Sequence, residues 1–261
     1  MRRFALVGII MLSCCGLPSW AQIHLSGVLS GTLDPGFYLV DSTIIVNAGD
    51  SLTILPPAHF SFTAWYPFKV LGTLTALGTE SDSIIFDCDP LTNPQKWHGL
   101  RFTGSGASSS RLSYCRISLG SASTYWPENS GGGIFCMNAA PTFEHCLISA
   151  NAASMYGAGV YCYNAPAVFR GCTIANNSCT TQGGGMYASL SALTLEDCRF
   201  LYNSSGGGNG GGLLGISSAM NISNSVFSHN TASVTGGIYL SGDPAATLAN
   251  CLIEFNSSTG S

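Results

Sequence analysis

From Gly131 to Asn256 the chain repeats one phrase five times: a glycine cluster with an apolar pair, then an apolar residue, a small residue of the buried type, and an asparagine. The last glycine of each cluster is Gly133, Gly159, Gly185, Gly212 and Gly237, in steps of 26, 26, 27 and 25. The closing residues Asn151, Asn177, Asn203, Asn230 and Asn256 step by 26, 26, 27 and 26. A fixed period of this size marks a solenoid, in which no repeat can bury its own apolar face and stacked repeats can.

One repeat shows what each coil is made of. Gly185-Met186-Tyr187-Ala188 reads as a short strand. Leu193 to Phe200 alternates apolar and polar residues with period 2, as a half-buried strand does. Its inward set is Leu193, Leu195, Cys198 and Phe200, and the phase shift between Leu195 and Cys198 predicts a bend that divides one strand into two. Asn203 then closes a turn, since Asn tolerates the left-handed backbone and its amide can bond its own backbone or the Asn of the next coil. A helical solenoid fails, because glycines at about 1 kcal/mol each interrupt every candidate helix. The expected fold is all-β, a right-handed parallel β-helix of about 26 residues per coil.

Cys88, Cys115, Cys146, Cys172, Cys198 and Cys251 are read as one repeat position, with Ser225 in the remaining slot. In an exported chain a disulfide framework is the default. A column of buried thiols acting as small hydrophobes is the preferred reading, because stacked side chains leave parallel Cβ vectors and a poor disulfide torsion.

Arg2-Arg3, the apolar run Phe4–Leu12 and Ser19-Trp20-Ala21 have the form of a signal peptide over residues 1–21. Leu12-Ser13-Cys14-Cys15 offers a competing reading, a lipoprotein cleavage box. Cleavage after Ala21 leaves seven Lys+Arg against thirteen Asp+Glu, a net charge of −6. No basic stripe is present to meet a phosphate backbone, so nucleic acid is not an expected partner. Residues 22–130 read as less regular coils and 131–261 as regular repeats. Trp97-His98-Gly99-Leu100-Arg101-Phe102 takes the glycine-strand position of its coil. Cys115 to Gly133 spans 18 residues where Cys146 to Gly159 spans 13, which predicts an inserted loop within 121–130 with Tyr125-Trp126-Pro127 at its tip. Another coil would begin just past Ser261, so continuation into a longer protein is expected, with a membrane anchor there or, failing that, self-association through an uncapped β-edge.

The glycine strands with Phe200-Leu201-Tyr202-Asn203 and Phe227-Ser228-His229-Asn230 resemble the GGA[ILV] and FxxN repeats of polymorphic outer-membrane proteins and related bacterial adhesins. Gly49-Asp50-Ser51-Leu52-Thr53-Ile54, Leu71 to Ala76 and Trp97 to Leu100 resemble the opening of secreted β-helix proteins of the pectin-lyase-like class. The resemblance implies the fold. For function it spans lyases, hydrolases, adhesins and passenger domains.

A lyase on this fold needs a strong base near carboxylates, and a glycosidase needs paired carboxylates. Glu144, Arg170 and Glu196 share one register and are the leading catalytic candidates, although a solvated charge ladder is the plainer reading. Asp87 and Asp89 with Arg101 form a weaker set. His145 and His229 are expected to face solvent in different registers, so no metal site is expected. Gly206, Gly208 and Gly211 match GxGxxG without a βαβ context, and no cofactor is implied. Aromatics outside the ladder positions, Trp65, Trp97, Tyr125 and Trp126, are the binding candidates, with Trp126 foremost and Trp97 read alternatively as a core residue. The expected role is a secreted or cell-surface protein that binds an extracellular glycan or a host or neighbouring cell surface without catalysis. The alternatives are a polysaccharide lyase or glycoside hydrolase, and a structural stalk.

Overall fold

The computed structural model describes residues 9–10, 22–242 and 245–260. Residues 1–21, where a signal peptide is expected, lie outside the described residues apart from Ile9–Ile10, as does Asp243. From Gln22 onward the chain winds as a parallel β-helix, and each regular coil contributes four short strands. In the coil of Asn203 these are Met186–Ser189, Leu193–Glu196, Arg199–Leu201 and Ser204–Ser205. Each strand pairs in parallel with its equivalent one coil on: Met186 with Leu213, Leu195 with Ile222, Phe200 with Phe227, and Ser204 with Thr231.

The inward residues are the ones the period-2 pattern selects. Leu193, Leu195, Cys198 and Phe200 are all buried in one core that runs from Leu25 to Phe227. The expected bend sits at Asp197, whose φ of 54° lies in the left-handed region. Equivalent turns hold Tyr114, His145, Gly171 and Asn224 at φ between 47° and 60°. A second left-handed column, Ala150, Asn176, Tyr202 and His229, precedes the closing asparagines.

Those asparagines form a buried ladder. The Asn177 Nδ2 amide donates to Asn203 Oδ1 at 2.9 Å and to the Ile148 carbonyl at 3.0 Å, while its backbone N–H donates to the same Asn203 Oδ1. Asn151, Asn203 and Asn230 repeat the arrangement. A buried amide is tolerable only when its donors and acceptor are satisfied, and here each coil satisfies the next. The glycine cluster follows because the backbones crowd. A Cβ on Gly184 would lie 2.3 Å from the Ser204 carbonyl oxygen, and Gly183 turns at φ 71° directly over Tyr187.

The cysteine column is real but one member shorter. Cys115, Cys146, Cys172, Cys198 and Cys251 occupy it with Ser225, and all are free thiols. Each sulfur donates to a carbonyl of the coil behind it, as Cys172 does to Phe143 O at 3.4 Å. Ser225 fills its slot by donating to Ser223 O and accepting from Cys198 N. Cys88 does not belong: Cys115 pairs with Ile84, which leaves Cys88 four residues further along the chain, just past the end of the strand Ile84–Asp87 and beside Leu119. The coil before the insertion has a different length, so counting along the sequence gave a wrong register there. The glycine-strand assignment near Trp97 holds, with Leu100–Thr103 paired to Ile134–Met137.

Candidate binding site

Beyond Ala122 the chain leaves the coil. Ser121 and Ala122 pair with Ala152 and Ala153, so all five extra residues fall between Ala122 and Ile134. They form the expected loop, with Tyr125 89% and Trp126 55% exposed at its tip.

The loop is built rather than loose. Arg101, only 4% exposed, points outward from its strand beneath it. Its guanidinium donates to the Pro127 carbonyl at 3.0 Å and the Ser130 carbonyl at 3.4 Å, meets Glu128 Oε2 at 3.5 Å, and lies 4.2 Å over the Phe135 ring. Burial pulls its pKa down to about 10, with Glu128 opposing, so it stays charged at neutral pH. His98, 2% exposed, donates from Nε2 to the Glu128 carbonyl at 2.9 Å. Burial, reinforced by the Arg101 charge, drives its pKa down to about 3. The ring is therefore neutral, and its 3.3 Å approach to Glu128 Oε2 is a polar contact rather than an ion pair. Trp65 stacks on His98 at 4.0 Å and donates its indole N–H to Ser121 O at 2.6 Å. Asn129 completes the clamp, its carbonyl accepting from Met155 N at 3.0 Å. A buried cation is retained only when it is paired and hydrogen-bonded, and Arg101 spends its contacts on holding this loop.

The loop stands beside an outward aromatic bank. In each glycine strand the first apolar residue points into the core and the second points out, because successive strand residues face opposite ways. The outward residues Phe135, Tyr161, Tyr187 and Leu214 form a second buried cluster, flanked by Met137, Tyr156, Tyr163, Ile216 and Tyr239. Phe135, Tyr161 and Tyr187 stack at 5.1 and 5.4 Å, and Tyr156 stacks on Tyr187 at 4.6 Å. Burial raises the Tyr161 hydroxyl, opposed by the Trp126 indole that approaches it, and pushes Tyr187 up to about 12.

Of the four binding candidates, Tyr125 and Trp126 face solvent together at this site. Trp65 is half-buried and belongs to the loop's support. Trp97 is corrected: it is fully buried, stacked on Phe62 at 4.3 Å with its N–H bonded to Ser118 O at 2.7 Å. A large indole with an internal carbonyl partner is worth more in the core than on the surface. The catalytic candidates do meet. Glu144, Arg170 and Glu196 align in register, with Arg170 3.8 Å from Glu144 and 3.1 Å from Glu196. All three side chains are more than a third exposed, and the guanidinium lies between both carboxylates. The second set does not assemble: Asp87 bonds His59 at 2.7 Å, Asp89 accepts from Leu91 N, and Arg101 lies under the loop. His145 and His229 are exposed on different turns, as expected. The tyrosine bank and the His98–Arg101–Glu128 clamp were not singled out from sequence. The adjacent pairs Val160-Tyr161 and Met186-Tyr187 carried the signal for the first, since two neighbours in a strand cannot both point inward.

A family model described as a right handed beta helix region matches residues 96–253, more than half of the chain. The chain belongs to the right-handed beta helix family. No curated protein and no solved structure matches it.

Proposed function

We propose that this chain is an exported, non-catalytic β-helix that binds a glycan or another cell surface through the loop bearing Tyr125 and Trp126. The observation that supports this reading is the clamp. A nearly fully buried arginine and a buried neutral histidine are committed to holding the backbone at Pro127, Glu128 and Ser130, directly after two exposed aromatic residues. Desolvating a cation is unfavourable by several kcal/mol, and a loop with no task would not need it. Fixing the aromatics beforehand lowers the ordering entropy lost on binding. Export rests on the charged, apolar and small-residue sequence of segment 1–21. The catalytic alternative draws on the Glu144–Arg170–Glu196 column, where the guanidinium is compensated by two carboxylates in water-exposed surroundings and is poorly suited to act as a base.

The test is Trp126→Ala, with retained fold checked by its thermal midpoint. Binding to a panel of polysaccharides and to cell surfaces should fall at least about tenfold, as expected for an aromatic anchor. Unchanged binding would remove the loop as the site. Reducing or unsaturated ends released from any polysaccharide, and lost in Arg170→Ala, would favour the enzymatic alternative.

A further inference from the structure

We infer that the ligand of this site is a neutral polysaccharide, lying along the helix axis beside the tyrosine bank; this rests on the binding role proposed for the Trp126 loop. Charge on the repeats is segregated. The charged residues described between Gly131 and Gly260 are Glu144, Arg170, Glu196, Asp197, Arg199 and Glu254. They sit on the strands Thr142–Glu144, Val168–Arg170, Leu193–Glu196, Arg199–Leu201 and Leu252–Glu254, or in the Asp197 turn between two of them. From residue 135 onward the outward columns of the glycine-strand sheet carry none: one runs Phe135, Tyr161, Tyr187, Leu214, Tyr239, the other Met137, Tyr163, Ser189, Ile216, Ser241, and only on the other side of Phe135 does the first column continue into Arg101 and Lys69.

The adjoining sheet extends this uncharged surface with Ser178, Ser204 and Thr231 in register. Of the two cations that continue this column, Arg101 is buried and committed to Glu128 and two carbonyls, and Lys69 is exposed beside it. An acidic polymer would find one exposed lysine here, whereas attraction of a polyanion needs a cluster of free cations.

The same side chains suit hydroxyl-rich rings. The ladder tyrosines Tyr161 and Tyr187 lie face to face and buried, with interplanar angles of 14° and 11° along the stack, and the half-buried phenols beside them are those of Tyr156, Tyr163 and Tyr239. Trp126 and Tyr125 are free to supply ring faces. A phenol hydroxyl is a neutral donor and acceptor at neutral pH, suited to sugar hydroxyls. Successive coils repeat these groups about every 4.8 Å along the axis, which favours an extended polymer over a single small sugar.

The experiment is affinity electrophoresis of the full chain in gels holding soluble neutral polysaccharides (hydroxyethylcellulose, galactomannan) or acidic ones (polygalacturonate, alginate). Retardation is expected from at least one neutral polymer and from neither acidic one. It should persist in about 0.5 M salt, where exposed charge pairs are strongly screened. Trp126→Ala should weaken it at least about tenfold and Tyr163→Ala several-fold, as for aromatic anchors at a binding surface. Retardation by an acidic polymer that salt abolishes would overturn the ligand class and leave glycan binding standing. No retardation by any polymer, or retardation that Trp126→Ala leaves unchanged, would overturn the binding role and the ligand class together.

Discussion

The coils before Gly131 and those after it bury a continuous core by different means. In the later coils each interior position repeats in strict register, with aromatic pairs such as Phe143 on Phe169 and Phe200 on Phe227, at 4.8 and 4.6 Å. The asparagines run beside them, each bonded to the next. The earlier coils also stack Tyr38, Phe60 and Phe86 in register, at 4.9 and 5.0 Å, but add large aromatics that pack across different strands. Phe60 meets Phe68 edge-on, Phe62 stacks on Trp97, and the eleven-residue strand Gly36–Val46 pairs first with Ala58–Phe62 and then with Phe68–Val70. Regularity supplies stability cheaply, because one solution is copied from coil to coil. Irregularity supplies the side chains that depart from the pattern, and the clamp under the exposed loop is built from those: Trp65, His98 and Arg101.

Breaking a ladder should have the widest-reaching effect. Asn203→Leu removes the acceptor for both the backbone N–H and the Nδ2 amide of Asn177, leaving buried donors unpaired. At about 1–3 kcal/mol per orphaned group, a loss of roughly 4 kcal/mol is expected. Hydrogen exchange should then rise in coils on both sides of residue 203. Trp97→Ala, in the irregular part, should cost roughly 3–5 kcal/mol by creating a cavity. Its exchange change should stay within the neighbouring coils, and a spread as wide as that of Asn203→Leu would erase the contrast between the two regions.

Next comes the clamp. Arg101→Met should remove a buried charge together with the contacts that hold the loop. Breaking only one side of such a network typically costs about 3–5 kcal/mol. A buried ion pair replaced by an apolar residue of similar volume can be near neutral in stability, so the sharper readout is limited proteolysis. Cleavage within residues 123–130 should quicken while cleavage elsewhere stays slow.

Acid should act through His98. Its pKa is about 3 in the folded chain against an unfolded value near 6.5, so between those values the unfolded state binds the extra proton. Stability should therefore fall as pH drops from 6.5 toward 3, by about 2–3 kcal/mol at pH 4. His98→Gln should flatten that part of the curve of thermal midpoint against pH.

The smallest effect belongs to the surface. Glu144→Gln removes one arm of an exposed charge ladder and should change stability by less than about 0.5 kcal/mol, measured by urea unfolding. A larger loss would mean that the charged column does structural work in the regular coils comparable to their buried ladders.

Where residues recur, the sequence was legible. The asparagine spacing gave the coil length, the alternation in Leu193–Phe200 gave the inward set, and the excess between Cys115 and Gly133 gave the loop with Trp126 exposed at its tip. Where coils change length, counting failed. Cys88 was placed in a column that Ile84 occupies, since nothing in one sequence marks how many residues an irregular turn absorbs. Trp97 was open to a surface role because a tryptophan outside a repeat has no column to betray its direction, and only packing against Phe62 shows it to be core.

By itself the sequence determined what repetition determines. Stacked copies of one unit must place like residues over like, so period, strand phase, ladders and the inserted loop all follow from local spacing. Tertiary structure alone decided what depends on contacts between residues far apart in the chain. Arg101 reaches the Pro127 and Ser130 carbonyls, Trp65 reaches Ser121, and Tyr156 reaches Tyr187. No spacing rule encodes those meetings. They arise because winding the chain into coils brings residues that are 26 to 56 positions apart, or further, within reach of one another.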